Sequence, residues 1–276
     1  MEAASRPIAL TIAGSDSGGG AGIQADLRTF ATYGCYGTSV VTAITAQDTR
    51  GVRAVHPVPA AIVREQLDAI ADDLPPEACK TGMLGNREIV EVVAAGIGAH
   101  RWPHYVLDPV IRSTSGTVLL DTGGVAALRS VLLPLAECVT PNLDELEELT
   151  GVTARDPDAM VRGAEALRML GARSALVTGG HLAGDVIVDV LVSKEGTRRF
   201  EHPRIAATST HGTGCVLSAA IAAGLARGAP LDVAVEEAID HVRGVLASTP
   251  AMGASRPGAP PARSTAPAGS EDDGAM

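Results

Sequence analysis

The chain has 276 residues, 46% of them hydrophobic but only 2% aromatic, and a formal charge of −10. That length allows one sizeable α/β domain or two small ones with an aliphatic core, and the acidic balance speaks against nucleic acid as a partner. No apolar run approaches the ~20 residues of a membrane span and the N-terminus lacks a basic, apolar, cleavable pattern, so a soluble, cytoplasmic protein without a membrane partner is expected.

In chain order, Ile8 to Ala13 is an apolar run of strand length, followed by the glycine-rich segment Gly14 to Gly22 and a helical spacing from Ile23 to Tyr33. Strand, glycine loop and helix open a βαβ unit. The loop has no Lys-Ser/Thr after its glycines, so it is not a P-loop; it says only that a ligand approaches backbone there. Val40 to Ala46 reads as the next strand and delivers Gln47 at its end. A helix is expected over Ala60 to Asp73, a strand over Ala78 to Thr81, and a helix from Glu88. Tyr105 to Val110 reads as a strand carrying Asp108-Pro109, and a helix follows from about Val125 to Leu133. Cys138 to Asn142 is strand into loop, Leu143 to Leu149 an acidic helix, Ala159 to Leu170 another helix, and Ser174 to Val177 a strand ending at Thr178-Gly179-Gly180. Val186 to Val192 and Thr197 to His202 form an expected hairpin, with helices from Gly214 and Asp232 after it.

Strands alternating with helices imply a doubly wound, mostly parallel sheet with helices on both faces. Ligands of such sheets lie beyond the C-terminal strand ends, where every polar cluster named above falls. Residues 1–251 form the expected domain; from Met252 the composition turns to Gly, Pro, Ala and Ser, which cannot bury a core and is expected to be disordered. The four cysteines, Cys35, Cys79, Cys138 and Cys215, are scattered without metal-site or disulfide spacing and are expected to be reduced thiols.

Chemistry concentrates at Thr208-Ser-Thr-His-Gly-Thr-Gly-Cys215, which runs into small apolar residues of helical propensity. Gly212 and Gly214 let the backbone fold tightly against a ligand. The unpaired N–H groups and positive dipole end of the following helix suit a phosphate whose charge is growing in a transition state. Cys215 sits at that helix start, where a lowered thiol pKa is expected. The plainer reading is a Gly-x-Gly turn with a small core cysteine.

Seven blocks then occur in register: Ala13-Gly-Ser-Asp with Gly-Ala-Gly-Ile-Gln-Ala-Asp26, Thr45-Ala-Gln-Asp-Thr49, Lys80-Thr-Gly-Met-Leu84, Leu107-Asp-Pro-Val110, Thr140-Pro-Asn-Leu-Asp-Glu145, Gly179-Gly-His181 and His211-Gly-Thr-Gly-Cys215. Over residues 7–247 the chain resembles the hydroxymethylpyrimidine/phosphomethylpyrimidine kinases of thiamine biosynthesis, in the ribokinase superfamily.

The resemblance implies a ribokinase-like fold that phosphorylates a small pyrimidine with ATP and Mg²⁺, and a possible homodimer. Phosphoryl transfer needs an activated hydroxyl, a clamp on the moving group and a divalent metal. Gly212, Thr213 and Gly214 would be the clamp and Cys215 the base, in the position where most of the superfamily carries Asp. Asn142 and Glu145, neighbours on one helical turn, resemble the superfamily's metal motif, while their spacing alone equally describes a capping box. Asp108 is a second metal-side or phosphate-side acid, or merely a turn former. Gln47 would pair with the edge of the pyrimidine; Asp26 and the backbone at Gly14 would hold its hydroxymethyl end or other edge; Met83 and Val110 would be apolar walls. Thr178, Gly180 and His211 would face the nucleotide.

Relatives commonly carry Lys at the position of Thr178, Gly18 replaces a usual Ser, and the usual C-terminal ending is replaced by the tail. Two other functions fit part of the pattern. One is pyridoxal kinase, although pyrimidine-kinase-like members with that activity can carry a cysteine in the loop after Asp-Pro, and Ile111 to Gly116 has none. The other is a degenerate kinase kept as a ligand-binding regulatory module.

Overall fold

Alternation along the parallel strands sorts the core into two layers. In a computed structural model that describes residues 6–206 and 212–248, the strands β1 (Ile8–Asp16), β2 (Tyr36–Asp48), β3 (Gly51–Pro57), β4 (Ala78–Thr81), β5 (Tyr105–Leu107), β6 (Cys138–Val139), β7 (Ala175–Val177), β8 (Val186–Ser193) and β9 (Gly196–Pro203) form one sheet in the order β3-β2-β1-β4-β5-β6-β7-β8-β9. Strands β2 to β7 in that order run parallel, and β3, β8 and β9 are antiparallel additions at the two edges. Because the chain steps from β1 to β2 on one side and continues through β4 on the other, the topological switch lies between β1 and β4, the usual place for a ligand crevice.

Leu10, Cys79, Leu107, Val139 and Val177 point to one face, under α2 (Ala60–Asp73), α3 (Arg87–His100) and α6 (Pro157–Met169). Their neighbours Ala9, Ala78, Val106, Cys138 and Leu176 point to the other, against α7 (Thr213–Ala226) and α8 (Leu231–Ser248). Small residues on both sides of this second layer, Ala9 and Ala78 on the sheet and Ala219, Ala220 and Ala223 on α7, bring α7 close to the strands. α1 (Gly22–Thr32) packs beside it, with Phe30 in the same core cluster. This explains how a chain so poor in aromatics fills its core.

Two regions depart from the sequence expectation. β3 has mostly exposed side chains and hence no apolar alternation; it is an edge strand held by backbone pairing to β2. The helix expected from Val125 to Leu133 is α4 (Thr122–Ala127) followed by a wide π-type turn over Leu128–Leu132 and a tight 3-10 turn over Leu133–Leu135. Pro134 lacks the N–H that a continuing helix needs. The remaining helix, α5 (Leu143–Thr150), follows β6. The expected tail from Met252 and the residue His211 lie outside the described residues. Among the described residues no helix is long and apolar enough to cross a membrane.

Candidate active site

Two glycine segments, far apart in sequence, interlock at the strand ends. In the first, the buried Asp16 carboxylate accepts hydrogen bonds from the N–H groups of Gly18 and Ala21, each at 2.8 Å, and so folds the loop. Gln24 reaches back to the Asp16 N–H (2.8 Å) and to the Ser15 hydroxyl (2.8 Å). Gly22 and Gly212 both adopt left-handed backbone, with φ of 58° and 80°. A Cβ on Gly22 would overlap the Gly14 carbonyl oxygen, and one on Gly212 would overlap that of Gly20. Only glycine permits either contact. The contacts bring the start of α7 against the start of α1, and the Gly22 N–H reaches the sulfur of Cys215.

Above this junction lies a cavity of about 370 Å³ along the C-terminal strand ends. Gly14, Gln47, Met83 and Val110 line one end together with Thr45 and Leu119; Asn142, Glu145 and Asp108 line the middle; Gly212, Thr213, Gly214 and Cys215 form part of its wall; Thr178 and Gly180 lie towards the other end. Gln47 is well anchored. Its backbone exchanges two hydrogen bonds with the Ser17 hydroxyl, at 2.7 and 2.9 Å, and its Oε1 lies 3.2 Å from the Thr45 hydroxyl. Met83, Val110 and Leu119 pack in one small cluster with Ala43, so this end is apolar with a single fixed amide.

Asp26 is elsewhere than expected. It is wholly buried beneath the cavity, outside its wall, and its Oδ2 accepts from the Thr11 hydroxyl (2.6 Å) and from Lys80 Nζ (3.1 Å). Strand register creates this arrangement. Thr11 and Lys80 are paired neighbours on β1 and β4, and both point to the α1–α7 face. Lys80 Nζ also lies 3.7 Å from Asp108 Oδ2, which the Ser218 hydroxyl on α7 approaches at 3.0 Å. Burial alone would discharge Lys80, but the negative charges of Asp26, an ionised Cys215 and Asp108 together outweigh it and hold the ammonium above its ordinary pKa.

Cys215 corrects a second expectation. Burial pushes its thiol up to about 12, and Asp108 and Asp26 add to the rise, against the opposing pull of Lys80 and the Gly22 N–H. Desolvation thus outweighs the helix end. The other three cysteines are buried and free, and only Cys215 is partly exposed.

Asn142 and Glu145 form a capping box for α5: Asn142 Oδ1 accepts from the Glu145 N–H and Glu145 Oε2 accepts from the Asn142 N–H, each at 3.0 Å. Burial, then the nearby Asp108 charge, raises the Glu145 carboxyl to about 8. Two buried carboxylates facing one cavity are groups whose repulsion a cation would relieve. Among the described residues no cluster of three or more His, Cys, Asp or Glu could hold a metal by itself. The donor set therefore fits a cation such as Mg²⁺ held mainly by phosphate and water.

At the far end the wall is built from β7, the hairpin and α8. Thr178 brings no cation there. The Gly179 N–H donates to Asp189 Oδ1 (2.8 Å), and Asp189 Oδ2 pairs with His202 Nε2 (3.0 Å). Arg204 donates to the carbonyls of Gly180 (2.9 Å), Gly184 (2.8 Å) and Leu182, closing the 180–184 loop. Asp16 and Lys80 stand in the sequence blocks without an assigned role, and Thr11, Asp189, Arg204 and Ser218 were not singled out by sequence. A lysine inside the short apolar strand Ala78–Thr81 was the one available signal, because a buried lysine requires a partner.

The family model for phosphomethylpyrimidine kinases matches residues 16–259. The chain belongs to this family. Like other phosphomethylpyrimidine kinases it is a phosphotransferase, and its relatives carry the same architecture. It is 50% identical over 242 residues to the hydroxymethylpyrimidine/phosphomethylpyrimidine kinase of Rhizobium meliloti, covering 87% of this chain and 91% of that one. It is 47% identical over 241 residues to the thiamine biosynthesis bifunctional protein of Geobacter sulfurreducens, covering 87% of this chain but 49% of that protein, so it spans about half the length of the bifunctional relative. Among solved structures, the phosphomethylpyrimidine kinase of Clostridium difficile 630 superposes with a TM-score of 0.78 at 40% identity, covering 87% of this chain and 99% of that one. The pyridoxal kinase of Bacillus subtilis, solved as an ADP complex, does so with a TM-score of 0.79 at 39% identity, covering 86% and 90%. These are ribokinase-like kinases, and the chain shares their mostly parallel sheet.

Proposed function

We propose that this kinase transfers the terminal phosphoryl group of ATP to the hydroxymethyl oxygen of 4-amino-5-hydroxymethyl-2-methylpyrimidine, and then phosphorylates the monophosphate, in the cytoplasm and as a step of thiamine biosynthesis. One observation carries the reading: a single cavity joins the apolar end holding Gln47, Met83 and Val110 to the first turn of α7, with Cys215 on the wall between the ends.

The flat ring lies against Met83 and Val110, and Gln47 pairs with its alternating donor and acceptor edge. Gly14 leaves room for the ring to approach backbone. The N–H groups at Thr213, Gly214 and Cys215 receive charge growing on the moving phosphoryl oxygens. As the new O–P bond forms, the hydroxymethyl O–H breaks and its proton passes to the Cys215 sulfur as thiolate, while the bond to the departing ADP breaks and ADP keeps the electron pair. Mg²⁺, when bound, neutralises phosphate charge; Glu145 and Asn142 suit hydrogen bonds to its water shell, and Asp108 lies between them and the phosphate loop. Thr178 and Gly180 face the nucleotide.

Pyridoxal kinase is the second reading, favoured by the likeness to the Bacillus subtilis enzyme. The test is ATP turnover with each heterocycle at equal concentration. The pyrimidine is expected to be phosphorylated with a kcat/KM at least about tenfold above that of pyridoxal, the discrimination expected of a site that hydrogen-bonds one ring edge. The reverse order would establish the second reading, and no turnover of either would retire both.

A further inference from the structure

The family resemblance gives roles to Asp26 and Asp108 but none to Lys80, which lies outside the wall of the cavity. Lys80 is fully buried, and buried lysines are rare and costly unless paired. Its two carboxylate partners come from different elements: Asp26 from α1 at 3.1 Å and Asp108 from the end of β5 at 3.7 Å. The set continues to the phosphate loop. The Ser218 hydroxyl, one turn beyond Cys215 on α7, lies 3.0 Å from Asp108 Oδ2 and 3.1 Å from the Cys215 carbonyl oxygen. Asp26 Oδ1, also buried, has no hydrogen-bond partner among the described residues. Two carboxylates and one ammonium therefore stand in a water-poor layer tied to the start of α7 through Ser218, where charges act over longer distances than in solvent.

We propose that Lys80 is a positioning residue of the transfer: its ammonium, fixed between Asp26 and Asp108, offsets their charge near Cys215 and keeps the thiol able to give up its proton. The charged groups that act on the sulfur are Lys80 from β4, Asp108 beyond β5 and Asp26 from α1, and of these Lys80 alone favours the thiolate. The Gly22 N–H supplies a smaller, uncharged contribution of the same sign. Lys80 touches neither substrate nor phosphate; it acts through the sulfur and through Asp108. The inference rests on Cys215 as the base, but its own test reads the sulfur directly.

That test is the rate at which iodoacetamide alkylates Cys215, measured from pH 6.5 to 10 by mass spectrometry of the intact protein; the other three cysteines are buried and give a separable background. Lys80→Met is expected to slow alkylation about tenfold or more at pH 8 and to move the profile to higher pH. Asp26→Asn is expected to do the opposite, because it removes an opposing charge and leaves Lys80 in place. The double variant, neutral at both positions, is expected to fall between them. A merely structural role would loosen the site in both single variants and change both rates in the same direction. That result, or unchanged rates in both, overturns the proposal. Lys80→Met is further expected to lower kcat with the pyrimidine KM within about threefold, since nothing at the ring has changed. If Cys215→Ala stays active while the alkylation rates keep their opposite signs, the base assignment fails and the Lys80 assignment stands. If Cys215→Ala is inactive and the opposite signs are missing, the Lys80 assignment alone fails.

Discussion

Below the start of α7, the supporting layer of Thr11, Asp26, Lys80 and Asp108 is buried and its members bond to one another. At the far end, built from β7, the hairpin and α8, the support is Arg204, an exposed side chain that closes a loop by holding three carbonyls. The two devices respond differently to loss of a member. In the buried layer, removing one charge strands another away from water, so the cost is desolvation as well as a lost contact. At the exposed clasp, water can take over the freed carbonyls, and only the order of the loop is lost. The buried layer is thus expected to be intolerant of substitution, and the exposed clasp graded.

The largest effect expected of that contrast is on stability. Asp26→Ala leaves Lys80 buried beside Asp108 alone, at 3.7 Å, and should lower unfolding free energy by about 3–5 kcal/mol, read by urea denaturation. A cost below about 1 kcal/mol would mean that the pair is not desolvated as its geometry implies. Next comes Gln47→Leu, which leaves a ring edge without its partner. It should weaken pyrimidine binding by about 1–3 kcal/mol while ATP binding stays put, and titration calorimetry of both ligands separates the two. Arg204→Ala should raise the KM for ATP only about two- to fivefold with kcat nearly intact, the modest penalty of an exposed group. A loss of kcat comparable to that of a buried-layer variant would erase the distinction between the two devices. The smallest effect is expected from deleting residues 252–276, a segment too poor in apolar residues to dock, with turnover and Tm nearly unchanged.

Much of this division was written in the strand ends. Gly14, Gln47, Met83, Val110, Asn142, Glu145, Thr178 and Cys215 each lie near the C-terminal end of a strand or at the start of a helix, and all of them line the cavity. The capping-box and metal-motif readings of Asn142 and Glu145 need not compete, because the two residues that form the box also line the cavity. What escaped the sequence was tertiary. Asp26 looked like a substrate ligand because its partner Lys80 becomes its neighbour only when β1 and β4 pair with Thr11 beside Lys80. The Cys215 thiol looked acidic because a helix end is local and visible, whereas the desolvation and the Asp108 and Asp26 charges that raise it come from tertiary packing. β3 escaped because an exposed edge strand has no apolar period to read.

The base assignment to Cys215 is the centre of the account, and kcat against pH for Cys215→Ala and Cys215→Asp tests it most directly. With a thiol whose pKa burial has raised to about 12, the active thiolate becomes more abundant with every step in pH, so kcat of the unaltered enzyme should climb through pH 7–9. Cys215→Ala should lower kcat by roughly 10²–10⁴ at every pH, with ATP affinity nearly unchanged because the backbone donors remain. Cys215→Asp should recover part of the rate with a flatter profile, since a carboxylate is already ionised over that range. An alanine variant that keeps its activity, joined by a harmful aspartate, would show Cys215 to be a packing residue beneath the phosphate and contradict the account.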